Sequence, residues 1–317
     1  MAAGAWARRT DGRSTMKDLT GKTAFITGGA SGIGLAMARR FLQERMNVVI
    51  ADIRQDHLES ARAGLDAFAS RTRFLRLDVT DRPAMAEAAA ETERAFGRVH
   101  LLCNNAGIGD GVRIDTATYE DWDWVLGVNL GGVINGVVAF LPRIKAHGEG
   151  GHILNTASMH SFIALPAWGG LYSTSKFAVR GLSESLRLAL APYDIGVSVL
   201  CPGLVRTNIA ESHTLRPLHL APKRAPADPP HPTAQVEPPA AGSGMDPAEV
   251  AEHVLRGIRA NAFYILSHTE HRPELEEQFA EVVAAIPATT QIDPGRRAFE
   301  EARRRNTAAA KALMPRD

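Results

Sequence analysis

Tyr172 and Lys176 stand four residues apart (176 − 172 = 4), so a helix over this stretch puts phenol and ammonium on one face. A tyrosine phenol ordinarily titrates at about 10, too high for easy proton transfer near neutral pH. A neighbouring ammonium favours the phenolate and lowers that value toward the range useful in general acid–base catalysis. Ser158 lies upstream in the same segment, SMHSFIALPAWGGLYSTSK. Its hydroxyl can donate to a carbonyl oxygen or accept from an alcohol. The three side chains together form a proton-transfer unit for interconverting C–OH and C=O. Alone, Y-x-x-x-K is weak, because most such pairs are surface residues on a helix; its weight comes from the motifs around it.

A unit of this kind needs a partner that takes or gives a hydride, and the N-terminal third offers a seat for one. Thr23 to Thr27 (TAFIT) reads as a short apolar strand, the turn Gly28-Gly29-Ala30-Ser31-Gly32-Ile33-Gly34 follows, and an apolar-periodic helix is expected over Leu35 to Arg45. Glycines let the backbone approach a pyrophosphate, and unpaired N–H groups with the helix dipole bind its charge. The spacing is G-x-x-x-G-x-G rather than the commoner G-x-G-x-x-G. The next strand, Asn47 to Ala51, runs into Asp52 and Ile53, and Asp52 lies 18 residues past Gly34 (52 − 34 = 18), near the expected place of a ribose-binding acid. A carboxylate there accepts from the adenosine 2′-hydroxyl and repels a 2′-phosphate, which favours NAD over NADP. Arg54, two residues on, partly offsets that repulsion. The bland reading of Asp52 is a solvated acid at a strand end.

Helix His57 to Ala69 and strand Arg73 to Leu77 deliver Asp78 and Val79, where a side chain can meet the adenine amino group. Helix Pro83 to Phe96 and strand Val99 to Cys103 lead into Asn104-Asn105-Ala106-Gly107. By composition this is a turn, and its small and amide side chains permit close approach of a ribose. Helix Tyr119 to Val138 carries Asn129, a poor helix former that is either solvated there or bridges polar groups and water. Strand His152 to Thr156 leads to Ser158, and helix Leu171 to Tyr193 holds Tyr172 and Lys176 in its first turn. Strand Val197 to Leu200 stops at Cys201-Pro202-Gly203, followed by Leu204, Val205 and Thr207.

The 317 residues suit one large α/β domain or two small ones. The chain is 45% hydrophobic and 22% charged with a net charge of +1, which gives no general electrostatic reason to expect nucleic acid or an anionic membrane. The apolar runs read as short strands, so no membrane span is expected. Cys103 and Cys201 each end an expected strand and read as buried free thiols of a reducing cytoplasm. Residues 1–16 read as a disordered leader, with Met16 a second candidate start. Between Pro217 and Pro247 fall nine prolines (217, 222, 226, 229, 230, 232, 238, 239 and 247) of the chain's 18. The segment 204–247 is therefore neither regular helix nor sheet and reads as an insertion, either a disordered excursion or a lid. Its apolar Ile209, Leu215, Leu218 and Leu220 need burial on something. Helix Pro247 to Ala260 and strand Phe263 to Leu266 resume the α/β pattern. A helical tail, 272–317, closes the chain, its run Arg303 to Arg305 read as a solvated face. His268 and His271 could suggest a metal pair, but nothing else clusters with them and they read as surface histidines; no Cys/His zinc spacing is present.

In order and in kind these motifs resemble the short-chain dehydrogenase/reductase family, in its compact single-domain branch, from about Lys17 to Leu266. Gly28, Gly32 and Gly34 match its glycine turn, Asp78 its adenine-contacting acid and Asn104 to Gly107 its NNAG. Asn129, Ser158, Tyr172 and Lys176 match its catalytic tetrad, and Pro202, Gly203 and Thr207 its nicotinamide-holding segment. The resemblance implies a doubly wound, Rossmann-like parallel sheet of seven strands in the order 3-2-1-4-5-6-7. It implies that Lys176 binds the nicotinamide ribose, that Asn129 holds a water linking Lys176 to solvent, and that the chain forms a homodimer or homotetramer. A narrower similarity, over DWDWVLGVNLGGVINGVVAFLPR, TNIAESHTLRP, NAFYILSHTEHRPELEEQF and MKDLTGKTAFITGGASG, is to bacterial NAD-dependent Cα-dehydrogenases that oxidise benzylic alcohols of lignin-type β-aryl ethers.

The expectation is an NAD(H)-dependent secondary alcohol dehydrogenase or ketone reductase, with a dinucleotide held by Gly28, Ser31, Gly32, Ile33, Gly34, Asp52, Ile53, Asp78, Val79, Asn105, Ala106, Gly107, Tyr172, Lys176, Pro202, Gly203, Val205 and Thr207. Ser158, Met159, His160, Phe162, Trp168 and Leu204 are the candidate substrate contacts and suit an aromatic or bulky apolar alcohol; their bland alternative is core packing. Two rivals stand beside this reading: an NADPH-dependent ketoacyl-thioester reductase, and a non-catalytic dinucleotide-binding protein.

Overall fold

A chain of apolar strands alternating with amphipathic helices has one economical solution, a parallel sheet covered on both faces. The computed structural model, which describes residues 16–109, 111–165, 169–221, 242–288 and 292–314, has that form. Seven parallel strands, β1 (Thr23–Thr27), β2 (Asn47–Asp52), β3 (Thr72–Arg76), β4 (Leu101–Asn104), β5 (Gly151–Thr156), β6 (Ile195–Cys201) and β7 (Tyr264–Leu266), lie in the order β3-β2-β1-β4-β5-β6-β7. The fold is thus a single α/β domain with the expected order. β1, β4 and β5 are wholly buried along their length, which explains why they read as continuous apolar runs rather than alternating ones.

Helices α1 (Gly32–Gln43), α2 (Gln55–Gly64) and α7 (Pro247–Arg259) cover one face of the sheet. Their Met37, Phe41, Leu58, Ala61, Val250 and Val254 close a core with Ile26, Val48, Ile50 and Leu200. Helices α3 (Arg82–Phe96), α5 (Gly132–Ala146) and α6 (Gly170–Leu190) cover the other face, where Met85, Phe140 and Ile144 meet Phe25, Val49 and Val197. Chain order reverses at β1 and β4, whose register pairs Ile26 with Cys103. A crevice opens there at the strands' carboxyl ends. Asn104 Nδ2 ties β4 to Asn155 Oδ1 of β5 (2.9 Å), and Asn155 Nδ2 reaches Ser183 Oγ of α6 (3.0 Å).

Several expected bounds move. α1 begins at Gly32, because the glycine turn itself enters the helix, and it ends before Arg45, which has φ +61°. The expected helix Tyr119 to Val138 is three pieces: α4 (Tyr119–Leu126), a π-helical turn Gly127–Gly131 and α5, which runs on to Ala146. By length and hydropathy (1.8) the whole run Tyr119–Ala146 could cross a membrane, contrary to the reading that all apolar runs are strand-like. In the fold it buries Trp124, Val125, Val133, Phe140 and Ile144 against the domain and leaves Tyr119, Ile134 and Val138 exposed. Met16, assigned to the leader, is 2% exposed and packs with Leu19 in the core beside α1; the folded part therefore includes it. Cys103 and Cys201 are buried free thiols. The tail forms α8 (Arg272–Ala284) and α9 (Pro294–Ala312). On α9 the exposed Arg303 and Arg305 pair with Glu300 and Glu301.

Candidate active site

At the carboxyl edge of the sheet lies a cleft of roughly 880 Å3 that runs from Asp52 and Asp78 at one end to His160, Tyr172 and Leu215 at the other. The glycine turn forms its floor. A β-carbon on Gly28 would stand 2.9 Å from Ala106 Cα, and one on Gly34 would stand 2.0 Å from Gly28 O. The two glycines therefore permit different things: Gly28 the approach of the NNAG turn, Gly34 the packing of α1 under the turn. Gly34 itself does not line the cleft. Gly28, Ser31, Gly32, Ile33, Asp52, Ile53, Asp78, Val79, Asn105, Ala106, Gly107, Pro202, Gly203, Val205 and Thr207 all do. Ser31, the residue before α1, makes no side-chain cap, so the first-turn N–H groups keep their capacity for an anion.

Asp52 is 7% exposed. Its Oδ2 accepts from Ala30 N and its Oδ1 from Arg54 N, both at 3.1 Å. The carboxylate is thus locked in orientation by backbone, with a lone pair left on each oxygen for a diol. Asp78 Oδ1 accepts from the N–H (2.9 Å) and hydroxyl (2.7 Å) of Thr80. Asn105 Nδ2 donates to Thr27 O and Gly28 O, which pins the NNAG turn to β1. A glycine-floored groove, an uncapped helix start and a fixed buried carboxylate at its far end fit a nicotinamide dinucleotide.

At the other end, Lys176 is buried. Its Nζ donates to Thr156 O at 3.1 Å and lies 5.4 Å from the centre of the Tyr172 ring, which sits one helical turn earlier in α6. Burial lowers the Lys176 pKa to about 8. Ser158 Oγ accepts from His160 N (3.1 Å), a turn that leaves the hydroxyl at the cleft wall. Asn129 is fully buried in the π-helical turn, where its Oδ1 accepts from Ile108 N (2.8 Å) and its Nδ2 donates to Ile108 O and Ser175 Oγ (both 3.0 Å). Of the two readings left open for it, bridging polar groups is the one seen. A β-carbon on Gly107 would sit 3.2 Å from both Asn129 Oδ1 and Lys176 Nζ, so this glycine keeps the space between them open. Burial raises the Cys201 pKa to about 11, which leaves an inert thiol.

Of the candidate substrate contacts, Ser158, His160 and Leu204 line the cleft. Phe162 does not. It is 7% exposed, lies in a core cluster with Met159 and Val133, and stacks on Tyr264 and Phe279 (5.7 and 6.4 Å between centroids). Its ring faces β7 and α8 because those elements supply the aromatic surface, and Met159 follows it inward. Trp168 lies outside the described residues. The histidine assignment also changes. His268 is 8% exposed; its Nδ1 accepts from Gly203 N (3.0 Å) and its Nε2 donates to Leu204 O (2.9 Å), so it clamps the Pro202-Gly203 turn from the end of β7. His271 lines the cleft.

The start of the insertion folds over the cleft. Ile209–Leu215 and Leu218–Leu220 are short 3-10 turns, and Ile209, Leu215 and Leu220 line the cavity. Leu218, expected to need burial, is 94% exposed. Polar ties hold this cover, the Arg54–Glu211 ion pair among them. Gly109 N donates to Ser212 Oγ (3.2 Å), and Arg216 Nη1 pairs with the buried Asp121 of α4 (2.7 Å) while its guanidinium stacks on Trp124. Most of the expected mobile middle, Pro222 to Gly244, lies outside the described residues.

Residues 22–217 match the short chain dehydrogenase family. A C alpha-dehydrogenase of Sphingobium sp. strain SYK-6 is 39% identical over 286 residues, 88% of this chain and 90% of its own length. The solved structure of LigO from the same strain, in its apo form, superposes with a TM-score of 0.71 at 40% identity over 91% of this chain and 97% of that one. A short chain dehydrogenase/reductase from Burkholderia phymatum, solved with NAD, gives a TM-score of 0.78 at 33% identity over 87% of this chain and 99% of that one. Motifs, strand order and these likenesses agree that the chain belongs to the short-chain dehydrogenase/reductase family of NAD(P)-dependent oxidoreductases.

Proposed function

We propose that this protein interconverts a secondary alcohol and its ketone with NAD(H), and that the alcohol is aromatic or otherwise bulky and apolar. The observation that carries the reading is the buried Lys176 ammonium beside Tyr172 on one face of α6, in the same cleft as the fixed Asp52 carboxylate. The bound nicotinamide supplies or accepts the hydride. Tyr172 gives or takes the proton on the substrate oxygen, and Ser158 orients that oxygen by hydrogen bonding. Lys176 favours the phenolate through its charge. Asn129 holds the loop at Ile108 in place, and the open space at Gly107 gives a water room to connect Lys176 toward solvent.

Asp52 supports NAD: a locked, buried carboxylate suits a free ribose diol and opposes a 2′-phosphate. The same residue weighs against the ketoacyl-thioester reductase reading with NADPH. The likeness to a C alpha-dehydrogenase supports an alcohol substrate, and the apolar walls of Leu165, Ile209, Leu215 and Leu220 support an aromatic or bulky apolar one. A panel of aryl and aliphatic secondary alcohols, followed by NADH absorbance, tests this. Aryl alcohols should react best, with kcat/KM at least ~10-fold higher with NAD than with NADP. Turnover of no alcohol with either cofactor would favour a non-catalytic dinucleotide-binding protein.

The 209–221 segment acts as a cover that excludes water from the hydride path. Ile209→Ser combined with Leu215→Ser removes apolar surface of the cover that lines the cleft and leaves the glycine turn and Asp52 in place. KM for a bulky aryl alcohol should rise roughly fivefold to tenfold with the NADH dissociation constant nearly unchanged. Normal KM in that variant would exclude a covering role.

A further inference from the structure

We infer that Glu211, carried by the cover segment, restricts the protein to NAD by occupying Arg54, an arginine placed beside Asp52 where a 2′-phosphate would fall. This rests on the NAD reading above and names a residue, far in sequence from the ribose-binding strand, that enforces it.

Arg54 follows Asp52 by two residues and lines the same end of the cleft with Ile53 and His57. An arginine fork matches a phosphate bidentately, so a free guanidinium here would offset the repulsion from Asp52 and admit NADP. The fork is not free. Nε and Nη2 donate to Asp56 Oδ1 and Oδ2 (3.1 and 2.6 Å), and Nη1 donates to Glu211 Oε2 (2.5 Å). All three guanidinium nitrogens thus face carboxylates, one from α2 and one from across the cleft. A 2′-phosphate would have to displace a carboxylate and then sit near Asp52, Asp56 and Glu211 together. Asp56 is local and would accompany Arg54 in any conformation of this loop. Glu211 is different: it comes from 157 residues away and reaches Arg54 from the 209–215 turn that lies over the cleft. Cofactor choice and the position of the cover are therefore tied through one ion pair. The arrangement also gives Arg54 a use in an NAD enzyme, as the latch of the cover at the adenosine end.

The test measures binding of adenosine 2′,5′-bisphosphate and of 5′-AMP to the intact protein by calorimetry at low ionic strength, where exposed pairs are least screened. The variants are Glu211→Gln, Arg54→Ala and the double variant. The wild type should bind 5′-AMP more tightly than the bisphosphate. Glu211→Gln should narrow that gap by roughly threefold to fivefold, the scale of one partly exposed ion pair, through tighter bisphosphate binding with 5′-AMP unmoved. In the Arg54→Ala background the Glu211 change should have a clearly smaller effect, because only its direct repulsion of the phosphate is left to remove. A wild-type gap that Glu211→Gln leaves untouched, or a shift shared by both ligands, would overturn the inference while sparing the NAD reading. A wild type that binds both ligands alike would contradict the NAD reading as well.

Discussion

Tyr172→Phe is expected to lower turnover at least ~100-fold on the true substrate, the usual worth of a general acid–base group. The substitution removes one oxygen and keeps the ring, so helix α6 and the stack of Tyr172 on His160 (6.4 Å between centroids) survive. NADH binding should persist, because the glycine floor, Asp52 and Asn105 are untouched. The split is diagnostic. A purely structural tyrosine would lose stability or cofactor affinity along with rate, whereas the acid/base loses rate alone. Single-turnover rates with NADH dissociation constants measured by fluorescence separate the two. Near-full activity would mean that another group moves the proton.

Lys176→Met is expected to cut turnover by a similar factor and, in the opposite direction, to raise stability at pH 7. The ammonium is buried, and burial drops its pKa from 10.5 to about 8. The unfolded chain therefore holds this proton more tightly than the native one. Below pH 8 both states are protonated and the native state bears the whole cost, on the order of 3 kcal/mol. Between pH 8 and 10.5 the native lysine gives up its proton and the cost fades; above 10.5 it is gone. Methionine matches the lysine stem without the charge. It loses the bond from Nζ to Thr156 O, worth about 1 kcal/mol, which leaves a net gain of roughly 1–2 kcal/mol at pH 7. Calorimetry should show the variant melting a few degrees higher at pH 7 and the advantage shrinking by pH 10. A variant less stable than wild type at pH 7 would contradict the burial cost, and one that keeps its activity would contradict the role of the charge.

The parts of this site that were legible in the sequence are those whose chemistry is local. A glycine turn between an apolar strand and a helix, an acid at the end of the next strand, and Tyr172 one turn before Lys176 each carry their meaning in type and spacing. What was not legible depends on distant surfaces. Phe162 looked like a pocket residue because it follows Ser158 closely, but its ring turns toward Tyr264 and Phe279, more than a hundred residues on. His268 looked like a surface histidine because nothing near it in sequence shows that β7 ends against the Pro202-Gly203 turn. The π-helical turn at Asn129 breaks an otherwise helical pattern, and its local hints were Asn129 itself, a poor helix former, and the glycines Gly127 and Gly131 that bound the turn. Among the insertion's apolar residues, burial could be anticipated for the group but not for each member: Leu215 and Leu220 face the cleft while Leu218 faces solvent. Glu211 and Arg54 are both visible in the sequence, but their pairing exists only in the fold.

The central claim is direct hydride transfer between a secondary carbinol carbon and NAD. It is tested most directly by incubating the protein with NAD and an aryl secondary alcohol deuterated at the carbinol carbon, then reading the NADH by proton NMR. The account predicts deuterium at C4 of the nicotinamide on a single face, with a slower rate than for the protiated alcohol. NADH that carries no deuterium, or no NADH from any aryl alcohol offered, would contradict it.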